Sequence, residues 1–332
     1  MGLKKELLKL FGRGNKRKSS KGQEVFAGEI KAVRSGVAAY KVDHQPAQQH
    51  SPLLRRNTHR LEKGLCFPNA KKTFAEKYIG ETVQAYQAAV SSGCHDEAEL
   101  EWSNAVLSRY FDTVEKSDDK VALAYQAFRQ IVVAHISGSD KTPFSFREIT
   151  HDSGFDADRF LQLCENRVSC RWFEDRKVMR HQVEHAVSCA TQAASACNRQ
   201  PYRYLLIENP CIKQQIVNLP FGTAGFGNEL PHLIMVLGDL SNFALARDRH
   251  LIYIDSALAT SQLMLGFTAQ GLASVPINWP DVEANHQSAR DLLDLESFHV
   301  PIMLVGFGYP DPDALIPFSQ KKSPQSLLKV YE

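Results

Sequence analysis

From Ser256 to Pro280 the chain carries no charged side chain. Length alone would let this run span a bilayer, but Gln262, Gln270 and Asn278 interrupt it, and Gly271 and Pro276 break it. The pattern therefore predicts a core helix over 255–270 that ends at Gly271, because glycine commonly closes helices and a helix apolar on all sides is an interior one. Three shorter runs, YRYLLI (202–207), HLIMVLG (232–238) and VPIMLVGFG (300–308), are rich in β-branched or aromatic residues, as strands buried on both faces are. Helical patterns stand between them near 178–195, 210–219 and 281–293. The mixture predicts an α+β domain over 151–332, its sheet covered by helices.

Upstream the pattern is different. TFAEKYIGETVQAYQAAV, DEAELEWSNAVLSRYFDTV and DDKVALAYQAFRQIVVAHI read as helices separated by Ser, Gly and Asp breaks. They predict an α-helical module over 23–150, joined to the second domain by the linker-like SGSDKTPFS. Before them, LLRRNTHRLEKGL reads as a charged surface turn, or else as a site for an anion or partner. Residues 1–22 hold eight Lys or Arg against the single acid Glu6. They read as a flexible solvated arm, or as a weak peripheral anchor that inserts Leu3, Leu7, Leu10 and Phe11 at an anionic membrane surface.

Composition narrows the class. With 332 residues and 43% hydrophobic content the chain can build a large core, and a net charge of +2 gives no basis for nucleic-acid binding. Seven cysteines, odd in number and without a C-x-x-C pair, suggest neither a disulfide framework nor a metal site. A cytoplasmic location is expected.

Two polar stretches carry candidate chemistry. In ENRVSCRWF (165–173) an extended backbone puts Arg167, Ser169 and Arg171 on one face and Val168, Cys170 and Trp172 on the other. Two guanidinium groups flanking a hydroxyl suit a phosphate or a polar edge; an amphipathic edge segment with solvated arginines has the same pattern. Lys321 and Lys322, after the last strand, are a second basic point that could close a phosphate site with Arg167. In SACNRQPYRY (195–204), Ser195, Asn198 and Gln200 sit against the start of a strand, where amide side chains need partners. A ligand with many donors and acceptors is one answer.

In order along the chain, DADRFLQLCENRVSCRWF, SACNRQPYRYLLI, YIDSALATSQLMLGFTAQGLASVPINW and VPIMLVGFGYPD followed by QKKSP resemble the FMN-dependent nitroreductase family. The resemblance covers the C-terminal domain and not the first 150 or so residues. It implies a nitroreductase-like sheet covered by helices, with FMN at the interface of a two-fold homodimer. It also implies that Arg167 and Ser169 meet the phosphate and ribityl chain, that Arg171 reaches the pyrimidine edge, and that Lys322, with Lys321, takes the phosphate. Ser195, Asn198 and Gln200 would contact flavin bound mainly by the other subunit, and a backbone N–H at Asn278 or Trp279 would face flavin N5. Ala194 stands where many members have Pro, Lys322 where Arg is usual, and Asn278-Trp279 where some have Glu-Gly, which would put a large side chain near the ring. The implied activity passes a hydride from NADH or NADPH through the flavin to a small-molecule acceptor: a nitro compound, quinone, flavin or biosynthetic intermediate. A flavin-dependent oxidase or dehydrogenase of a polysaccharide or natural-product pathway, and a non-catalytic dimeric scaffold, are the alternatives.

Overall fold

The computed structural model describes residues 26–42, 49–67, 72–131 and 154–332. The basic stretch 1–22, the linker-like SGSDKTPFS and the expected domain edge at 150/151 lie outside these residues.

Four strands form one antiparallel sheet in the order β1-β2-β4-β3, with β1 at Tyr202–Leu206, β2 at His232–Asp239, β3 at Ala273–Asn278 and β4 at His299–Gly308. The first, second and fourth match the three apolar runs to within a residue. They read as continuous rather than alternating because both faces are buried. Ile234, Val236, Val305 and Phe307 face one layer, where the helices Arg180–Thr191 and Leu251–Thr268 supply Val183, Ala186, Ala259, Leu263 and Phe267. Met235, Leu237, Val275, Ile277 and Leu304 face the other, with Ile216, Val217 and Ala289.

Among the described residues the helices are α1 (Ala27–Val42), α2 (Pro52–Leu65), α3 (Ile79–Ser92), α4 (Glu97–Thr113), α5 (Asp119–Gln130), α6 (Ala157–Asn166), α7 (Arg180–Thr191), α8 (Pro210–Val217), α9 (Leu251–Thr268), α10 (Glu283–Leu293) and α11 (Pro324–Leu327). Helix α9 ends three residues before the expected glycine. Gly271 takes φ +72 beyond it and the Leu272 N–H turns back to the Phe267 carbonyl, 3.0 Å, so the glycine shapes the exit rather than the last turn. Gly266 lets α7 approach: a Cβ there would lie 3.0 Å from the Ala186 Cα.

The N-terminal module is helical as expected, with two corrections. The first expected helix starts only at Ile79, because Ala75 takes φ +69 and breaks the run. LLRRNTHRLEKGL is not a surface turn but most of α2. Ser51 caps it by accepting the Leu54 N–H (3.2 Å), Pro52 occupies its first turn, and Leu53, Leu54, Asn57, Thr58, Leu61 and Leu65 are buried. The charged letters masked an apolar stripe at helical spacing. The core of this module is aromatic, with Tyr86, Tyr110 and Phe111 fully buried.

Helix α1 was not anticipated. It packs on the second domain through Ala32 and Val33, which join Leu240, Phe243, Ile252 and Val300 in one cluster. Gly36 permits the contact: a Cβ there would sit 2.6 Å from the Leu240 Cβ and 2.7 Å from its carbonyl carbon. Backbone cannot rotate away, so Gly36→Ala should weaken docking by about 1–3 kcal/mol, as overpacking does. The urea midpoint should fall and the amides of α1 should exchange faster; an unchanged midpoint would show that this contact is not part of the stable structure.

Candidate functional site

Helix α6 ends at Asn166 and delivers Arg167 to a segment stitched between two strand ends. Ser169 bridges Ser274 of β3 in parallel, and the Cys170 N–H donates to the Ser274 carbonyl, 3.2 Å. Further on, the Glu174 N–H donates to the Tyr309 carbonyl, 2.9 Å. The expected alternation is present at Cys170, which is buried, whereas Trp172 is 44% exposed. Arg171 lies over the Phe226 ring at 5.5 Å and donates to the Ser169 carbonyl at 3.4 Å. Among the described residues neither Arg167 nor Arg171 makes an ion pair with a carboxylate, so both charges remain available to an anion.

The loop at Ser195–Gln200 is built by groups from three directions. Cys197, Asn198 and Gln200 all have positive φ, at +55, +52 and +51. Such geometry costs about 1–2 kcal/mol per non-glycine residue and persists where the surroundings over-determine it. Asp255 of α9, itself buried, accepts the Ser195 hydroxyl at 2.7 Å and the Ala196 N–H at 2.9 Å. The Ser195 hydroxyl in turn accepts the Gln200 N–H, 2.8 Å. The Gln200 amide donates to the Thr191 carbonyl, 3.0 Å, and accepts from Arg55 of α2, 3.1 Å. Arg55 Nε also donates to the Asn198 carbonyl, 2.8 Å. The polar groups of Ser195 and Gln200 are thus engaged within the chain, whereas the Asn198 side-chain amide has no hydrogen bond among the described residues.

Arg55 is itself anchored. Its Nη1 donates to Glu99 of α4 at 2.9 Å, and its guanidinium lies 5.6 Å from the centre of the Trp102 ring. Burial opposes the charge on Glu99, yet hydrogen bonds from His50 (2.9 Å) and His95 (3.1 Å), together with the Arg55 charge, hold its carboxyl far below the usual carboxylate range. Asp255 was missed from sequence, and Arg55 was noticed only within a stretch read as a charged turn or a site for an anion or partner. The helix-start signature Ser51-Pro52 could have placed Arg55 on a helix, and Asp255 is the lone acid at the head of the uncharged run.

The other expected residues lie on separate elements. Asn278 ends β3 and is exposed, while Trp279 is buried, its ring 6.1 Å from that of His286 on α10. The indole therefore fills the core below the sheet end instead of standing over an open cradle. Lys321 and Lys322 lie in the exposed stretch 315–332. Among the described residues there is no group of three or more His, Cys, Asp or Glu fit to hold a metal ion, and no helix is long and apolar enough to cross a membrane.

Beside Ser169, two guanidinium groups without carboxylate partners and the buried, unpartnered Ser274 hydroxyl have the chemistry to meet a phosphate-bearing cofactor such as FMN, and the Asn198 amide on a separate loop is a further free polar group. Comparison with known proteins agrees in region. Residues 164–224 and 213–309 match the model of the nitroreductase family. A relative from Archaeoglobus fulgidus that carries the name NADH dehydrogenase/NAD(P)H nitroreductase is 23% identical over 151 residues, 45% of this chain and 84% of the relative. The iodotyrosine deiodinase of Haliscomenobacter hydrossis is 22% identical over 205 residues, 52% of this chain and 88% of the relative. A nitroreductase family protein of known structure from Streptococcus pneumoniae covers 52% of this chain and all of its own at 21% identity, with a TM-score of 0.45.

The buried indole yields a direct expectation. Its Nε1 has no hydrogen-bond partner, so Trp279→Phe, which removes an unsatisfied donor at similar volume, should cost less than about 1.5 kcal/mol. Trp279→Ala should cost about 3–5 kcal/mol through the cavity it leaves. Urea unfolding of the two variants checks the order; equal losses would mean that the ring is not packed.

Proposed function

We propose that the nitroreductase-family domain of this chain binds FMN and makes the protein an NAD(P)H-dependent flavin oxidoreductase that acts on a small-molecule acceptor. The observation that carries this reading is the Arg167–Ser169–Arg171 segment: it is fixed against β3 and the end of β4, yet its two cations are left without carboxylate partners. Arg167 would hold the phosphate, with Ser169 donating beside it, and Arg171 would donate to the pyrimidine edge, since a guanidinium forms paired charge-assisted bonds. Lys321 and Lys322, on the exposed C-terminal stretch, would add charge at the phosphate of the same chain or of a second copy. Asn198 would offer its free amide to the ring edge. When bound, FMN supplies the carrier that accepts a hydride from NADH or NADPH and passes two electrons to the acceptor; the chain supplies orientation and electrostatics. The backbone N–H groups of Asn278 and Trp279 would present fixed donors toward flavin N5, where a preset dipole stabilises developing charge without reorganisation. The relatives bear names for different reactions, so the acceptor is left as a class.

The test is flavin content. Arg167→Ala should purify largely without FMN and melt lower than wild type, because a ligand bound only by the folded state stabilises it. Equal flavin content in the two proteins would overturn the assignment.

A homodimer is part of the same reading. Helix α9 is apolar all round, but it is not wholly interior as its pattern suggested. Tyr253, Ile254 and Leu258 are exposed, as are Phe160 and Leu161 on α6, a helix that buries no residue. Leu315, Phe318 and Tyr331 are more than 80% exposed. So much apolar surface marks an interaction site, and a self-complementary two-fold contact is the commonest way to cover it. Light scattering should give a dimer at micromolar concentration, and the double substitution Ile254→Asp with Leu258→Asp should give a monomer depleted of FMN. A flavin-loaded monomer would refute the arrangement.

A further inference from the structure

Among the described residues, the hydrogen bonds from the N-terminal module to the Ser195–Gln200 loop come from Arg55. Arg55 lies on α2, outside the region matched by the family, and divides its guanidinium among three acceptors: Nε to the Asn198 carbonyl at 2.8 Å, Nη2 to the Gln200 amide oxygen at 3.1 Å, and Nη1 to Glu99 at 2.9 Å. The two loop acceptors belong to residues with positive φ. Those conformations are the ones a non-glycine chain abandons unless outside bonds hold them.

The third acceptor fixes the first two. Glu99 is almost wholly buried and is gripped by His50 at 2.9 Å, His95 at 3.1 Å and the Ser51 N–H at 3.2 Å, so its position is set by α4 and by the entry to α2. Arg55, 18% exposed, is thus pinned from the module side before it meets the loop. On the far side Asp255 holds only the beginning of the loop, at Ser195 and Ala196. The segment that carries the unpartnered Asn198 amide is held at its carbonyl by Arg55.

We infer that Arg55 is a positioning residue for the cofactor: docking of the N-terminal module through Arg55 sets the backbone at Asn198 and so aims the Asn198 amide at the flavin edge. The inference rests on the reading of this loop as a flavin contact. It gives the module a function in flavin retention. Lysine at this position would keep a charge near Glu99 but could not reach the Asn198 carbonyl and the Gln200 amide at once, because it is a single point donor without the planar fork.

Full-length wild type, Arg55→Lys, Arg55→Ala, Asn198→Ala and the Arg55→Lys/Asn198→Ala pair decide it. FMN affinity is read from quenching of flavin fluorescence, and loop order from hydrogen exchange over 195–201. Arg55→Lys should melt within a few degrees of wild type as apoprotein, bind FMN at least about tenfold more weakly, and exchange faster at 196–200 with α9 and β2 unchanged. The paired variant should bind no more weakly than the poorer single one, since residues that act through one another are not additive. FMN affinity within twofold of wild type in both Arg55 variants, additive losses in the pair, or unchanged exchange at 196–200 would each overturn the inference. Should Arg55→Ala unfold by stranding Glu99, Arg55→Lys still decides. If wild type takes up no FMN, the cofactor reading fails, and with it the flavin purpose assigned to Arg55. If Arg167→Ala loses FMN while Arg55→Lys keeps it, only the present inference fails.

Discussion

The sheet is covered on both faces, and that constraint governs where chemistry can occur. Helices α7 and α9 close one side and α8 and α10 the other, so no strand interior can meet a ligand. What remains is the rim: the segment after α6, the loop before β1, the end of β3 and the stretch beyond β4. Except for Ser274 near the start of β3, the polar groups named for the cofactor lie on these four pieces, which follow or precede elements whose own positions are fixed by packing. A rigid apolar scaffold with functional groups at its edges is the usual division of labour.

The module before the sheet is built differently, and its internal ties are more polar. Its helices are joined by Asn57 to Glu81 at 3.0 Å, by Thr58 to Ser103 at 3.2 Å, and by the carboxylate of Glu99 with its surrounding donors. A buried carboxylate is expensive unless nearly every lone pair is used. Here two histidines, an arginine and a backbone N–H use them. Such a cluster tolerates little displacement, so a helix bearing one of its members is held to a narrow range of positions. That stiffness is what makes α2 able to act on a loop of the other domain, and the close fit of Gly36 against Leu240 fixes the same interface from α1.

Much of the region beyond Gly154 was legible in the sequence because burial on both faces writes uninterrupted apolar runs, and because the uncharged stretch from Ser256 opens as a core helix closed near Gly271 before it continues into β3. The short motifs around Arg167 and Ser195 were visible for the opposite reason, as polar residues crowded against strands. Three things were not legible. Helix α1 buries chiefly Ala32 and Val33 against the second domain, too small a stripe to stand out. In α2 the arginines and histidines dominated the reading, although the side chains that decide its burial are Leu53, Leu54, Leu61 and Leu65. The orientation of Trp279 also had no sequence signal: a residue at a strand end can face either way, and here the pocket beside His286 decided it.

The same argument accounts for the one place where pattern and burial disagree. A helix apolar all round belongs in an interior, yet α9 leaves Ile254 and Leu258 about half exposed in the single chain. A monomer would have no use for those side chains; polar residues there would cost nothing in packing and would favour solubility. Asp255, between the exposed Ile254 and the buried Ser256, shows that the helix is not merely greasy, because its carboxylate turns inward to hold Ser195 and Ala196. One helix thus presents an apolar face outward and organises the Ser195–Gln200 loop from its inner face. In the proposed dimer, covering the outer face of α9 and ordering that loop become one event, since both are carried on consecutive residues of the same rigid element.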